Sequence, residues 1–160
     1  MTHLTELPPR HLSAADFKAV VRDTPLVSID LLVMDPWQRM LVGLRTNEPA
    51  RGFWFAPGGR IRKGENFSQA FRRLTLAELG QSLDISEASF VGAYEHFYAV
   101  DFTGASDAGT HYVVLAYSIS VDPAGMALPA EQHAEYRWVT AEDALSDASI
   151  HPNTQAYARK

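Results

Sequence analysis

From Phe67 to Leu79 the chain places apolar residues every three or four positions, at Phe67, Ala70, Phe71 and Leu74, and Gly80 follows. That period predicts one long amphipathic helix over Asn66–Leu79, with Gly80 ending it in the left-handed conformation open to glycine. Most of the rest reads as strand. Runs rich in Val, Ile, Leu and aromatics predict strands at Leu26–Met34, Met40–Leu44, Phe53–Ala56, Phe90–Tyr98, His111–Val121 and Tyr136–Val139. Turn and loop residues separate them at Asp35–Arg39, Thr46–Gly52, Ala99–Gly109 and Asp122–Glu135. Two shorter helices are predicted, Ala14–Arg22 capped by Ser13 and Ala141–Leu145 capped by Thr140, with a last helical turn within Asn153–Arg159. A helix with one apolar face must cover something, and here that surface is a sheet. The pattern is α+β or an α/β sandwich.

The 160 residues form a single domain at ordinary domain sizes, with 1–12 as an irregular arm. A net charge of −5 argues against a nucleic-acid surface, which normally shows a basic excess. It leaves room for a small pocket in which a few arginines hold one phosphorylated ligand. The absence of cysteine removes disulfides, thiolate metal sites and a thiol nucleophile together. No apolar run approaches the roughly 18 residues of a membrane span, and no basic segment leads into an apolar core at the N-terminus. The expectation is a cytoplasmic protein without membrane contact, whose chemistry comes from carboxylates, histidines, hydroxyls, arginines or a metal.

The helix also belongs to a longer spacing: Gly59, five residues, Glu65, seven residues, Arg73, then Glu78 and Gly80. This resembles the Nudix box, a loop–helix–loop that holds divalent metal against a diphosphate, and it implies an α/β/α sandwich with a mixed central sheet. Gly59, Glu65, Arg73, Glu78 and Gly80 match the box. Leu74 and Ala77 stand where the family usually has glutamate, and Gln81 replaces its last apolar residue. Residues 74 and 78 share a helix face. With Leu74 beside it, Glu78 can help to hold one hard cation but not a cluster.

With the flanking segments Gly52-Phe53-Trp54-Phe55-Ala56-Pro57-Gly58-Gly59-Arg60, Arg73-Leu74-Thr75, His96-Phe97-Tyr98, Thr110-His111-Tyr112 and Gln132-His133, the chain resembles the GDP-mannose mannosyl hydrolase branch. That resemblance implies hydrolysis of a GDP-hexose to GDP and free hexose by water attack at sugar C1, with inversion. It also implies one Mg²⁺ or Mn²⁺ per site and a homodimer. By the same resemblance Glu78, Gln132 and the Gly58 carbonyl are metal ligands and His133 is the general base. Asp30 and His96 contact the sugar, Arg45 and Arg60 grip the diphosphate, and Tyr112 donates to it. Glu65 and Arg73 brace the box as an ion pair. Taken without the resemblance, His133 is a solvated loop histidine, Tyr112 a core tyrosine, and Pro57-Gly58-Gly59 a turn.

The chemistry is coherent. Attack at C1 develops positive charge on the sugar and negative charge on departing GDP, so one cation on the diphosphate helps where several near the sugar would not. Two other readings stay open: a Nudix enzyme that cuts a phosphoanhydride, and a non-catalytic Nudix-like binding module.

Overall fold

The computed structural model describes residues 11–130 and 133–159. Seven strands form one sheet: β1 (Leu26–Met34), β2 (Met40–Arg45), β3 (Trp54–Phe55), β4 (Gly58–Arg60), β5 (Ser89–Tyr98), β6 (Thr110–Ser120) and β7 (His133–Val139). The order is β3-β2-β1-β6-β5, with β4 paired to β1 and β7 to β2. The sheet is mixed because β1 runs parallel to β6 along its whole length while the other named strand pairs are antiparallel.

Strand β1 is buried on both faces, which accounts for a mostly apolar sequence interrupted by Ser28 and Asp30. Ile29, Leu31 and Val33 point one way, into a core shared with Ala70, Phe71, Leu74 and Leu79 of α2 (Phe67–Leu79). Leu32 points the other way, joining Met40, Val42, Ala116, Val139, Ile150 and Ala144 of α3 (Ala141–Ser146). Helices thus cover both faces, giving the α/β/α sandwich. The helix α1 (Ala14–Asp23) starts at Ser13, whose hydroxyl accepts from Asp16 N–H, and α4 (Pro152–Gln155) is followed by a short turn, Ala156–Ala158.

Helix α2 is closed at both ends. The Asn66 side chain accepts from the Gln69 N–H while the Gln69 side chain accepts from the Asn66 N–H, and Gly80 sits at φ 71°. Thr75, on the inward face of α2, is fully buried; its hydroxyl donates to Phe71 O and accepts from Leu83 N–H at 2.9 Å.

Two sequence expectations change. Gly58-Gly59 is not only a turn but the start of β4, in register with Ile29 and Asp30. His133 is not in a loop: β7 begins with it, opposite Arg45, and it is 3% exposed. Both segments are too short or too polar to read as strands locally. Pairing with β1 and β2 supplies the hydrogen bonds that make them so.

The loop before α2 hangs on one ion pair. Arg73 donates through Nη2 to Glu65 Oε2 at 2.8 Å and to Arg60 O at 2.8 Å, and Glu65 Oε2 also accepts from Arg62 N–H. The Glu65 side chain is 6% exposed. Burial alone would raise its pKa, but hydrogen bonds from Arg73 and the Arg62 amide outweigh it and hold the carboxyl below its ordinary value. A depressed folded-state pKa means that the pair's stabilisation is complete at neutral pH and is lost as the pH falls below the unfolded value of about 4.3. Arg73→Ala should therefore cost about 1.5–3 kcal/mol at pH 7 in urea denaturation, the range for hydrogen bonds to a charged group. The gap to wild type should narrow in acid; a gap independent of pH would show that the ion pair is not its source.

Candidate active site

On the α2 side of the sheet, Glu78 is carried inward on the same buried face as Leu74, while Ala77 is exposed. Its Oε2 stands 3.3 Å from Nε2 of His133, with both side chains almost completely enclosed. An ionised carboxylate only accepts, so the imidazole proton of this contact belongs on Nε2. Nδ1 is buried without a partner among the described residues. The ring fits because position 43 has no side chain: a Cβ on Gly43 would come within 2.5 Å of the imidazole. Tyr136 packs edge-on against it at 5.3 Å, and its hydroxyl donates to Pro129 O at 2.6 Å. Burial, reinforced by the Glu78 charge, pushes the Tyr136 pKa up to about 12. Gly59 lies against Leu74, and Gly80 ends the helix.

The opposite face gathers the remaining candidates. Register places Asp30 beside Ala116, Tyr112 beside His96, and Ser28 beside Arg60. Asp30, Arg45, Gly58, Gly59, Arg60, His96 and Tyr112 line one cleft of about 60 Å³, together with Ser28, Phe55, Ala56 and Tyr98. Arg45 lies over the Phe55 ring at 5.7 Å, and its Nε is buried with no partner among the described residues. A buried guanidinium nitrogen in that condition suits an oxyanion. Arg60 lies over Phe17 at 4.2 Å and also borders a groove of about 490 Å³ with Arg62, Lys63, Val27 and Ile61. Phe17, which also packs against Phe102 at 4.8 Å, is therefore a platform for Arg60.

Burial pushes the Asp30 carboxyl up to about 7, against the pull of a hydrogen bond from Tyr157 and the charge of Arg45; Glu78 adds to the upward push. Burial, then the neighbouring charge of His151, lowers His96 to about 4, so its imidazole is neutral at neutral pH. Burial raises the pKa of Tyr112 as well, keeping its hydroxyl a donor.

Gly58 joins the two faces. The ladder bonds of Leu31 N–H to Pro57 O and Ile61 N–H to Val27 O alternate around it. The N–H and C=O of Gly58 therefore point away from β1, into the fork where β1 pairs with β4 at one end and with β2 only at Met34–Met40. No side chain is tolerated there, since a Cβ would stand 2.4 Å from Ile29 O and 2.8 Å from Asp30 Oδ1. Among the described residues no group of three His, Asp or Glu side chains could hold a metal. The buried Glu78 carboxylate and the Gly58 carbonyl that faces away from β1 are oxygen donors. They suit one hard cation that completes its shell with water and ligand oxygens, not a cluster. Gln132 lies outside the described residues.

Sequence reasoning missed Gly43, which seats His133, and Tyr157, whose hydroxyl donates to Asp30 Oδ2 at 2.6 Å. Neither carries a local signal. A glycine inside a strand hints at a close approach, but only the pairing of β2 with β7 says to what. His151, given no role from sequence, packs at 5.1 Å from both Phe53 and Phe55.

Comparison with known proteins places this geometry. The chain is 34% identical over 130 residues, covering 81% of it and 80% of the relative, to the low-salt glycan biosynthesis protein Agl8 of Haloferax volcanii. Its fold matches the MutT NUDIX hydrolase from Burkholderia pseudomallei with a TM-score of 0.68 at 21% identity, over 85% of this chain and 97% of that one. It matches the MutT protein of Methanosarcina mazei Go1 with a TM-score of 0.67 at 18% identity, over 85% and 92%. The NUDIX domain profile matches residues 24–159. With its box helix, its mixed sheet and this match over most of its length, the chain belongs to the Nudix hydrolase family.

Proposed function

We propose that this Nudix hydrolase cleaves a GDP-hexose, GDP-mannose in the first instance, to GDP and free hexose by attack of water at sugar C1. The observation that carries this reading is the composition of the α2 face. Leu74 is sealed into the core where the family usually has a ligand, and Glu78 meets an imidazole instead of further carboxylates. Such a site can neutralise a departing diphosphate but lacks the charge to organise attack on phosphorus. A relative named for glycan biosynthesis supports a sugar-bearing substrate.

Each residue then has a task. Arg45 and Arg60 bind the diphosphate through planar guanidinium groups, the unpartnered Arg45 Nε among the donors. Tyr112 donates its hydroxyl to the same oxygens. The cleft is too small for a whole nucleotide, and the groove beyond Arg60 has the volume of a small-molecule site. Asp30 and His96 face the sugar, one as an acceptor and the other as a neutral imidazole. His133 is the proposed base for the attacking water, acting through Nε2 once that nitrogen parts from the Glu78 carboxylate, with its ring held by Gly43 and Tyr136. Nudix hydrolases generally use divalent metal ions; one Mg²⁺ or Mn²⁺ on Glu78, the Gly58 carbonyl and Gln132 would supply electrostatic stabilisation of the leaving group. A homodimer is part of the same proposal.

The deciding experiment is hydrolysis of GDP-mannose in ¹⁸O-water. Label should enter the hexose and not the phosphate, and proton NMR should show the inverted anomer first, since no covalent sugar intermediate forms. Label in phosphate, or release of GMP with hexose phosphate, would make the chain a phosphoanhydride-cleaving enzyme instead.

Two variants test the assignment of roles. Glu78→Gln should bind Mn²⁺ more weakly and turn over far more slowly, and wild type should take up one Mn²⁺ per subunit with a GDP-sugar analogue present. A stoichiometry of two or three would contradict the single-cation site. His133→Gln should lose on the order of 10²–10⁴ in kcat, the usual contribution of a positioned base. A rate near that of wild type would assign the base elsewhere.

A further inference from the structure

Tyr157 lies in the turn Ala156–Ala158, far from the Nudix box in sequence. The segment that delivers it is fastened to β3. Trp54 N–H donates to Ser149 O and His151 N–H to Trp54 O, both at 3.0 Å, and the fully buried Thr154 hydroxyl accepts from Ala56 N–H at 3.1 Å. The Tyr157 ring packs edge-on against Tyr94 at 4.8 Å. Its hydroxyl then reaches two groups of the cleft, Asp30 Oδ2 at 2.6 Å and His96 Nε2 at 3.4 Å.

We propose that Tyr157 is a positioning residue for the sugar end of the site, a single hydroxyl that orients both the Asp30 carboxylate and the His96 imidazole. The proposal rests on the reading above that these two groups face the sugar. A phenol has one proton to give, and the shorter contact shows that it goes to Asp30. The oxygen's remaining lone pairs can only accept, so the His96 contact requires the imidazole proton on Nε2. One chain of hydrogen bonds results, His96 to Tyr157 to Asp30. It fixes the rotation of the carboxylate and the tautomer of the imidazole together. Asp30 Oδ1, on the Gly58 side, and His96 Nδ1 are left as acceptors outside that chain. Burial first, then the charge of Asp30, keeps the Tyr157 hydroxyl protonated far above its ordinary range, so the donor is permanent.

Tyr157→Phe deletes the hydroxyl and keeps the ring against Tyr94; circular dichroism checks that the variant folds. Two readouts are needed. The first is ¹⁵N NMR of the histidine rings, which requires no substrate: wild-type His96 should carry its proton on Nε2, and the variant should show mixed tautomers. The second is release of hexose from GDP-mannose. Here kcat should fall roughly 10- to 100-fold with KM changed by less than about threefold, the cost of reacting groups misplaced by about an ångström. A wild-type His96 protonated on Nδ1 overturns the proposal, whether or not the variant folds. So does a variant in which either the tautomer or kcat matches wild type. If wild type frees no hexose from GDP-mannose, it is the functional reading that fails. The tautomers of wild type and variant then still decide whether Tyr157 holds His96.

Discussion

Glu78 is an acidic side chain in the last turn of α2, where the helix dipole disfavours negative charge, and it is turned into the protein at 2% exposure. Leaving such a carboxylate unpaired would cost several kcal/mol. His133 answers it at 3.3 Å, and much of the architecture follows from that contact. Strand β7 must begin early enough to carry His133 inward. Strand β2 must have Gly43 opposite, because a side chain there would occupy the ring's place. Tyr136 must close the site and is itself tied to Pro129.

The fork in the sheet solves a second problem. A polar site cannot be built through the middle of a closed ladder, because every backbone group there is already paired. By giving one edge of β1 first to β4 and then to β2, the fold turns the amide and carbonyl of Gly58 away from β1 while β4 stays in the sheet. The Asp30 cleft lies on one face and the Glu78–His133 contact on the other, near enough for the Glu78 charge to act on Asp30. The ion pair of Glu65 and Arg73 holds the next residues, and the bond from Arg73 to Arg60 O links the helix to one of the two arginines of the cleft.

Burial also separates the protonation behaviour of the polar groups. Asp30 is raised to about 7 by the same environment that lowers His96 to about 4. Near neutral pH the histidine is uncharged and the carboxyl lies within its titration range. That environment keeps a fixed imidazolium out of this part of the cleft.

Local sequence determined the elements whose signals are self-contained. The apolar period and flanking Asn66 and Gly80 set α2, the run rich in Val, Ile and Leu set β1, and Ser13 and Thr140 started their helices where side-chain caps are worth most. The box spacing marked Gly59, Glu65, Arg73, Glu78 and Gly80 because loop and helix geometry tie those positions together over a short span. Only the tertiary structure decided that Gly58–Arg60 is a strand, that His133 is buried, that Gly43 lies under the His133 ring and that Tyr157 reaches Asp30. The reason is common to all four. Each depends on a partner remote in the chain, such as the carbonyl of Ile29, the carboxylate of Glu78, the ring of His133 or the carboxylate of Asp30. No local pattern records a contact made across a sheet.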